Sequence, residues 1–329
     1  MRTSLRSARG IRATRITAIA FASVSLLFTS ACLDEDPPGT PVASPTAAAP
    51  GGQATAAPGG GNATGAPDSG RAVVRTVGKT GWFEGFEITV DKATVVPDEY
   101  GGGQVLIDIT YKNTTNENLT LSNNSHLQVG KEVDGGAGFD NPTVPGNGSA
   151  GGSVRTPVQA LKDAEHLLDT ITVVYGESTD NQTKIPLAAS AKVESVQPRT
   201  LPVTGTLVQD QTTVQVTGAT LHPSYAVGER GKDELALRVK FVGGPGIAAG
   251  GTNIYYQYFS LRTPGGETLV ADFRGTINEL LSSNQTIDKA DNYAIFVVPS
   301  PANGSYTVSY NAAGEEGAAG APTFTFTVS

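Results

Sequence analysis

Three histidines and one serine are the side chains of this sequence that first suggest catalysis. His126, His166 and His222 share no His-x-His or His-x-x-x-His spacing, so two of them could meet only through the tertiary fold. Ser149 lies in the stretch GNGSAG at 146–151, which nearly matches a nucleophile elbow. That motif needs Gly two positions before the serine and a helix after it, and this stretch has neither. We therefore predict a turn at Ser149, surface or strand-end histidines, no catalytic residue and no enzyme.

The acidic loops 134–140 and 288–291 are two weak candidates for metal-binding sites. Their carboxylates are suitable oxygen ligands for Ca²⁺, but neither loop has the alternating acidic register of a dedicated calcium loop. We expect solvated turns there, with weak Ca²⁺ binding as the alternative. A copper carrier is disfavoured because the chain has one Met and one Cys, and Cu(I) prefers sulfur ligands. No metal and no cofactor are predicted.

Aromatic side chains are the best candidates for contact with a ligand. Tyr255, Tyr256 and Tyr258 are close together in the sequence, and in strand geometry Tyr256 and Tyr258 point to one face while Tyr255 does not. At least one ring would then face outward, as rings that stack on sugars or contact proteins do. Trp82 and Phe83 precede the first long strand and are candidates for the same reason. The alternative for all five is packing in the core or at a sheet edge.

The single cysteine, Cys32, follows small residues at 29–31, and an apolar run at 16–28 precedes them. That run is shorter than the roughly 20 residues needed to span a bilayer, so we interpret it as the core of a signal peptide. The small residues before Cys32 resemble a bacterial lipobox, with Thr29 in place of the usual Leu. We predict a lipoprotein signal peptide at 1–31 and acylation of Cys32, which would anchor the protein to a membrane. The alternative is an ordinary secretory signal that leaves a free thiol.

Charge and composition characterise the chain beyond the signal peptide. Removing the five arginines before Cys32 takes the net charge from −8 to −13, which disfavours nucleic acid as a partner. Residues 32–71 are rich in Pro, Gly, Ala and Thr and lack aromatic residues, so they cannot bury enough apolar area to fold. We predict a disordered tether that reaches on the order of 35 Å.

The globular part has the pattern of one β-domain written twice. The stretches 88–97 and 214–223 match at one offset of 126 residues, in Val90/Val216, Ala93/Ala219, Thr94/Thr220 and Pro97/Pro223. Residues 105–111 alternate as a strand with Val105, Ile107, Ile109 and Tyr111 on one face, and 235–241 correspond to them at an offset of 130. The predicted fold class is all-β, with tandem immunoglobulin-like β-sandwiches at 72–190 and 204–329 and a linker at 191–203.

Further elements are predicted from local patterns. In the first sandwich we expect a strand pair over 119–129, strands at 153–157, 170–175 and 183–187, and a short helix within 158–168. In the second we expect strands at 293–298, 305–310 and 323–328, a strand running into a turn over 258–266, and a short helix at 275–281. The stretch LPVTG at 201–205 spells a sortase signal, but its position in mid-chain predicts a junction between a linker and a strand.

The first domain resembles a known family. Tyr111-Lys112-Asn113 ends a strand, a Pro-Gly turn follows within 144–151, and 154–157 form a strand that ends in Pro. This order is similar to the telokin-like, immunoglobulin-like domain of unknown function found in bacterial surface lipoproteins. The resemblance covers 86–187, with the second domain as a divergent repeat. It implies the fold and an extracytoplasmic setting, and no catalytic residues.

These observations predict a lipoprotein anchored through Cys32 on the extracytoplasmic face of the cell membrane. We expect a non-catalytic binding or structural module of the envelope, with an unknown protein or glycan as its partner. The alternative is an accessory or substrate-binding subunit of a secreted enzyme or transporter. A pocket that brought His222 beside a carboxylate and a serine would instead favour an enzyme.

Overall fold

The computed structural model describes residues 70–121, 125–312 and 320–329, all within the compact unit Ala63–Ser329. The predicted signal peptide, Cys32 and the tether as far as residue 69 lie outside the described residues. The described chain is almost entirely β-strand, and every strand pairing is antiparallel. The predicted all-β fold class with tandem sandwiches is confirmed.

The described residues of the first sandwich form eleven strands and one α-helix: β1 (Val73–Phe83), β2 (Phe86–Pro97), β3 (Gly103–Asn113), β4 (Leu119–Thr120), β5 (Ser125–Val129), β6 (Glu132–Asp134), β7 (Gly138–Asp140), β8 (Thr143–Val144), β9 (Ser149–Val158), α1 (Ala164–Thr170), β10 (Ile171–Tyr175) and β11 (Thr183–Pro186). Its larger sheet has the order β1-β2-β3-β9-β7 and its smaller one β11-β10-β5-β6. Val90 and Ile107 from the larger sheet share one buried core with Leu127 and Val173 from the smaller.

In the second sandwich, outside the gap at 313–319, the structure describes twelve strands: β12 (Arg199–Leu201), β13 (Gly205–Gln209), β14 (Thr212–Pro223), β15 (Lys232–Gly243), β16 (Thr252–Tyr255), β17 (Phe259–Arg262), β18 (Thr268–Val270), β19 (Asn278–Leu281), β20 (Thr286–Ile287), β21 (Tyr293–Pro299), β22 (Gly304–Tyr310) and β23 (Thr323–Val328). One sheet has the order β12-β14-β15-β20, with β13 also on β14 and β21 also on β15; the other has the order β18-β17-β22-β23. Val214 and Leu237 from the first meet Leu261 and Val308 from the second in one core.

The long strands form where apolar residues alternate with polar ones. Along β3 the side chains of Val105, Ile107, Ile109 and Tyr111 are buried on one face, as predicted, while the residues between them are partly exposed or exposed. A strand with this period buries one face and leaves the other to water. The same period in β15 produces the equivalent face of the second sandwich.

The strand pairings repeat between the two sandwiches. β2 pairs with β3 and shifts register after Val90, and β14 pairs with β15 and shifts register after Val216, at the same offset of 126 residues. β1 shifts register between Thr76 and Lys79, and its counterpart is broken at the equivalent place into β12 and β13. The stretch LPVTG at 201–205 is this break. Its proline cannot donate to a ladder, which explains why one bulged strand has become two short ones.

Several short elements differ from the predictions. The strand pair predicted over 119–129 is wrong for its described residues, because β4 pairs with β8 whereas β5 pairs with β6 and β10. The helix predicted within 158–168 forms later, at Ala164–Thr170, where the Asp163 carboxylate accepts a hydrogen bond from the His166 N–H at 3.0 Å.

The helix predicted at 275–281 is wrong, because Asn278–Leu281 is a strand that pairs with β16. Glu279 and Leu281 are both buried on one face of it. In so short a segment helical and extended spacings both fit the apolar residues, and the tertiary pairing decides between them. The segment 191–203, predicted as a linker, is also structured: Glu194 bridges to Lys184 of the first sandwich, and Arg199–Leu201 is a strand of the second.

Candidate functional site

The candidate ligand contacts at the end of β1 lie at the junction of the two sandwiches. Phe83 is 2% exposed and belongs to the first core, because strand alternation turns its ring inward, so it is not available as a surface contact. Trp82 is partly buried, and its backbone N–H donates to Ser195 Oγ at 2.7 Å. Its carbonyl oxygen accepts hydrogen bonds from Thr183 and from the Tyr225 hydroxyl, the latter at 3.1 Å. This carbonyl therefore joins residues of both sandwiches.

The tyrosines at 255–258 do not follow the predicted strand geometry. A 3-10 turn covers Tyr256–Tyr258, and residues three apart lie above one another in such a turn. Tyr255 and Tyr258 therefore meet, with ring centroids 5.6 Å apart, and Tyr258 also lies 6.3 Å from Tyr310. Tyr256 and Tyr258 pack against the second core, and all three tyrosines keep part of their surface exposed.

Tyr225 belongs to the second sandwich by sequence but packs against the core of the first. Its ring centroid lies 4.5 Å from that of Phe83, and burial raises the pKa of its hydroxyl well above the ordinary value. An aromatic pair at this distance adds about 0.5–1.5 kcal/mol to the burial of the ring. Tyr225 is thus an apolar anchor between the two sandwiches.

Two polar side chains of the first sandwich bind the loop that follows Tyr225. The Asn181 amide donates to the carbonyl oxygens of Ser224 at 2.6 Å and Lys232 at 2.9 Å, and its oxygen accepts from the Gly231 N–H at 3.0 Å. The Asp180 carboxylate, itself buried, accepts from the Gly228 N–H at 2.7 Å. Backbone N–H and C=O groups of the loop thus have hydrogen-bond partners across the junction.

Arg274 forms ion pairs with three acidic residues beside the same loop. Its guanidinium lies 2.6 Å from Glu234, 3.2 Å from Glu229 and 2.9 Å from Asp272. Hydrogen bonding to Arg274 lowers the pKa of the Asp272 carboxyl, and the pKa of Arg274 is raised chiefly by its hydrogen bond to Asp272. The cation beside Asp272 therefore favours the charged form of that carboxyl.

Ser224 lies inside this cluster with a side chain that is 0% exposed. Its hydroxyl donates to Glu229, and the Arg274 guanidinium donates to it at 3.2 Å. His222 stands opposite Glu234 in the strand register, yet its Nδ1 lies 3.0 Å from the Pro223 carbonyl oxygen. The imidazole is therefore near a carboxylate and a serine in the chain but has no hydrogen bond with either among the described residues. A serine nucleophile needs both a neighbouring base and access to substrate. Ser224 has a carboxylate beside it but is fully buried, so its hydroxyl links charged groups within the cluster.

The predicted metal candidates have other partners. Asp134 accepts hydrogen bonds from the Thr156 hydroxyl and from the Gly136 N–H, and Asp288 forms an ion pair with Arg238 at 3.1 Å. In the part of the chain that the structure describes, no three His, Cys, Asp or Glu side chains are grouped so that they could hold a metal ion.

Asn181, Tyr225 and Arg274 were not singled out by any local sequence pattern. One feature of the sequence indicated the region where they lie. Corresponding residues of the two repeats are 126 positions apart up to β14 and 130 apart after the turn that follows it. The inserted residues lengthen the loop at 224–232, and this loop is the part of the second sandwich that Asn181 and Asp180 bind.

A pair of buried tyrosine hydroxyls distinguishes the two cores. Tyr111 and Tyr175 lie with their hydroxyl oxygens 3.0 Å apart, and Tyr111 donates to Asn141 at 2.8 Å. Burial raises the pKa of Tyr111 to about 12 and that of Tyr175 well above its usual value. In the second sandwich the repeat puts Phe241 in the place of Tyr111 and Tyr310 in the place of Tyr175. Thr212 lies near the Tyr310 hydroxyl, but among the described residues that hydroxyl has no hydrogen bond of normal distance and angle.

This difference predicts that a Tyr→Phe substitution affects stability differently in the two sandwiches. Tyr310→Phe removes a buried hydroxyl without a partner and should leave the free energy of unfolding unchanged or raise it by up to about 1 kcal/mol. Tyr175→Phe breaks a buried hydrogen bond and should lower it by about 1 kcal/mol. Urea denaturation of the two matched variants measures both. Equal losses of stability would show that the Tyr310 hydroxyl is satisfied in solution.

Within the described residues, no helix is both long enough and apolar enough to cross a membrane. Comparisons of the chain with protein-family models, with curated protein sequences and with solved structures gave no match. The resemblance to the telokin-like domain therefore stays a prediction from the sequence.

Proposed function

We propose that this chain is a lipoprotein of the extracytoplasmic membrane face and that its two sandwiches act as a non-catalytic binding or structural module of the cell envelope. The observation that carries this proposal is the junction. Its aromatic anchor, its amide clamp and its charge cluster all connect one sandwich with the other or hold the loop that does so. Ionisable groups committed to such contacts are poorly placed to transfer protons to a substrate.

The junction also supports a role in presentation. Because Tyr225, Asn181 and Asp180 fix the second sandwich on the first, the module would carry its binding surfaces in a constant arrangement. Preorganised surfaces lose less entropy on binding than surfaces that must first be ordered. Trp82, Tyr255, Tyr256 and Tyr258 are the partly exposed aromatics that we propose as contacts for a protein or glycan partner.

Membrane anchoring is tested by Cys32→Ala. The parent from native membranes should carry added acyl mass and partition into detergent, whereas the variant should be unacylated and stay in the aqueous phase. The expected difference is large because each buried CH₂ contributes about 0.8 kcal/mol and two or three chains are attached. Intact mass and detergent partitioning measure the two properties.

Ser30→Ala is the matched control, because it changes a small residue beside Cys32 and keeps the thiol. It should behave as the parent. If the parent is already aqueous and unacylated, Cys32 is not an anchor. A freely secreted binding protein or enzyme would then become the leading hypothesis.

A further inference from the structure

The outer edge of β23 is available for pairing. β23 lies at the end of its sheet and pairs with β22 alone. The Pro322 carbonyl oxygen accepts from the Tyr310 N–H, so it faces β22. In an antiparallel strand the hydrogen-bonding groups alternate in direction, so the N–H and C=O groups of Thr323, Thr325 and Thr327 face away from β22. No described segment of the chain pairs with them.

This edge lacks the features that normally prevent pairing with other chains. The strand has the sequence Thr-Phe-Thr-Phe-Thr-Val and contains no charge, no proline and no bulge. The outer edge of β21, by contrast, is covered by the loop that follows β18, whose Asp272 N–H donates to the Ile295 carbonyl oxygen at 2.7 Å. An edge without protection is a liability unless it has a partner.

The first sandwich shows what occupies the equivalent edge. In the first sandwich β11 pairs with β10, and in the second β23 pairs with β22 in the same way. Lys184, which pairs with Val174, corresponds to Thr323, which pairs with Ser309. The outward N–H of Lys184 donates to the Glu194 carbonyl oxygen at 2.8 Å, and the Glu194 N–H donates back at 3.0 Å. Val193 then packs against the first core. An extended antiparallel segment with an apolar residue beside the core thus covers β11.

A groove marks the place where such a residue would fit in the second sandwich. It has a volume of about 260 Å³ and is lined by Leu201, Pro202, Val203, Thr204, Phe324, Phe326, Thr327 and Ser329. In the first sandwich Lys79 reaches the carbonyl oxygens of Pro186 and Ala191 at the corresponding position. Gly205 replaces Lys79 in the repeat, and the Phe324 ring lies so close to it that an added Cβ would be 2.5 Å from the ring. The groove is therefore lined by apolar side chains together with the polar Thr204, Thr327 and Ser329, at a place where the first sandwich has the Lys79 ammonium group.

We propose that the outer edge of β23 is a strand-addition site for an extended segment of a partner protein. The segment pairs antiparallel with Thr323, Thr325 and Thr327 and places one small apolar side chain in the groove beside Phe324. Backbone pairing supplies the affinity and the groove supplies the preference for an apolar residue, as in other cases of strand addition. A groove of this size takes a side chain rather than a drug-sized molecule, whose pockets start at about 300 Å³.

The test uses a peptide whose pairing is already seen in this protein. The synthetic peptide of residues 190–198, which contains Val193 and Glu194, is added to the chain carrying Cys32→Ala. Amide hydrogen exchange at Thr323, Thr325 and Thr327 should slow by about threefold at twice the dissociation constant, because the protection follows 1 + [L]/Kd. Unchanged exchange at these amides with peptide at millimolar concentration overturns the proposal.

Two controls separate backbone pairing from other effects. Thr325→Pro removes the outward N–H that pairs with a partner and should abolish the protection at Thr323 and Thr327. Thr325→Val loses the hydroxyl contact with Thr307 at 2.9 Å but keeps the N–H, and it should bind as the parent does. If the proline variant does not fold, the peptide N-methylated at the Glu194 nitrogen gives the same information on the parent protein. Binding that survives N-methylation would rule out strand addition.

The strand-addition site at β23 is a more specific form of the binding role proposed above, and the inference rests on that role. The two tests can fail separately, because partitioning of Cys32→Ala reports on anchoring and the peptide reports on the edge. Sedimentation that showed a dimer in the parent and a monomer in Thr325→Pro would instead assign the edge to a second copy of this chain and overturn the partner segment proposed here.

Discussion

Replacing Arg274 with methionine should lower the free energy of unfolding at neutral pH by about 3 kcal/mol. The substitution keeps most of the side-chain volume but leaves Asp272, Glu229 and Glu234 without their common cation. Breaking a buried ion pair from one side costs about 3–5 kcal/mol, and the lower end applies because these side chains keep some contact with water. Denaturation by urea at pH 7 measures the loss.

The loss should also depend on pH. The pKa of Asp272 is lowered in the folded protein, so its contribution to stability is present above the unfolded pKa of about 3.9 and is lost as pH falls through the folded value. In Arg274→Met the uncompensated carboxylates gain from protonation. The difference between parent and variant should therefore shrink as pH is lowered from 7 to below 4, through the folded pKa of Asp272.

Arg238→Met is the matched control for this prediction. Arg238 pairs with Asp288 at 3.1 Å, and its side chain is 40% exposed. An exposed pair contributes about 0–1 kcal/mol, so this variant should stay close to the parent at both pH values. A loss in Arg274→Met that does not vary with pH would mean that packing, not charge, is what Arg274 contributes.

Tyr225→Ala should uncouple the two sandwiches. The substitution removes the ring that packs against Phe83 and the hydroxyl that binds the Trp82 carbonyl, and the loss should be about 3 kcal/mol. Because that energy belongs to the junction, we expect the unfolding of the variant to separate into two transitions in calorimetry. The parent should unfold in one.

Tyr225→Phe separates the ring from the hydroxyl. It keeps the packing and loses one hydrogen bond, so it should cost about 1 kcal/mol and preserve a single transition. Tyr255→Ala removes a partly exposed ring that packs on Tyr258, within the second sandwich, and should also preserve it. A single transition in Tyr225→Ala would show that the amide clamp of Asn181 is enough to hold the sandwiches together.

Features encoded in local periodicity could be predicted from the sequence. Strands β2, β3, β14 and β15 follow from alternation, and the match of Val90 with Val216 gives the correspondence between the two sandwiches. The long strands are predictable because burial on one face determines every second residue. Short segments such as 275–281 are not, because their spacing fits more than one structure.

The junction could not be predicted in the same way. Asn181 is 43 residues from Ser224 in the chain, and Arg274 is 40 from Glu234. No local pattern relates residues at these separations, and each of them is an ordinary polar residue in its own segment. The turn at Tyr256–Tyr258 was missed for a different reason, since a 3-10 turn brings together Tyr255 and Tyr258, which strand geometry places on opposite faces.

The position of Trp82 gives the protein an intrinsic optical probe. The chain contains one tryptophan, and its backbone carbonyl is the acceptor shared by Thr183, Ser195 and Tyr225. Its fluorescence therefore originates where the sandwiches meet, and no label is needed to follow their separation. Emission that shifts before the far-ultraviolet signal is lost would record the two sandwiches parting while each is still folded.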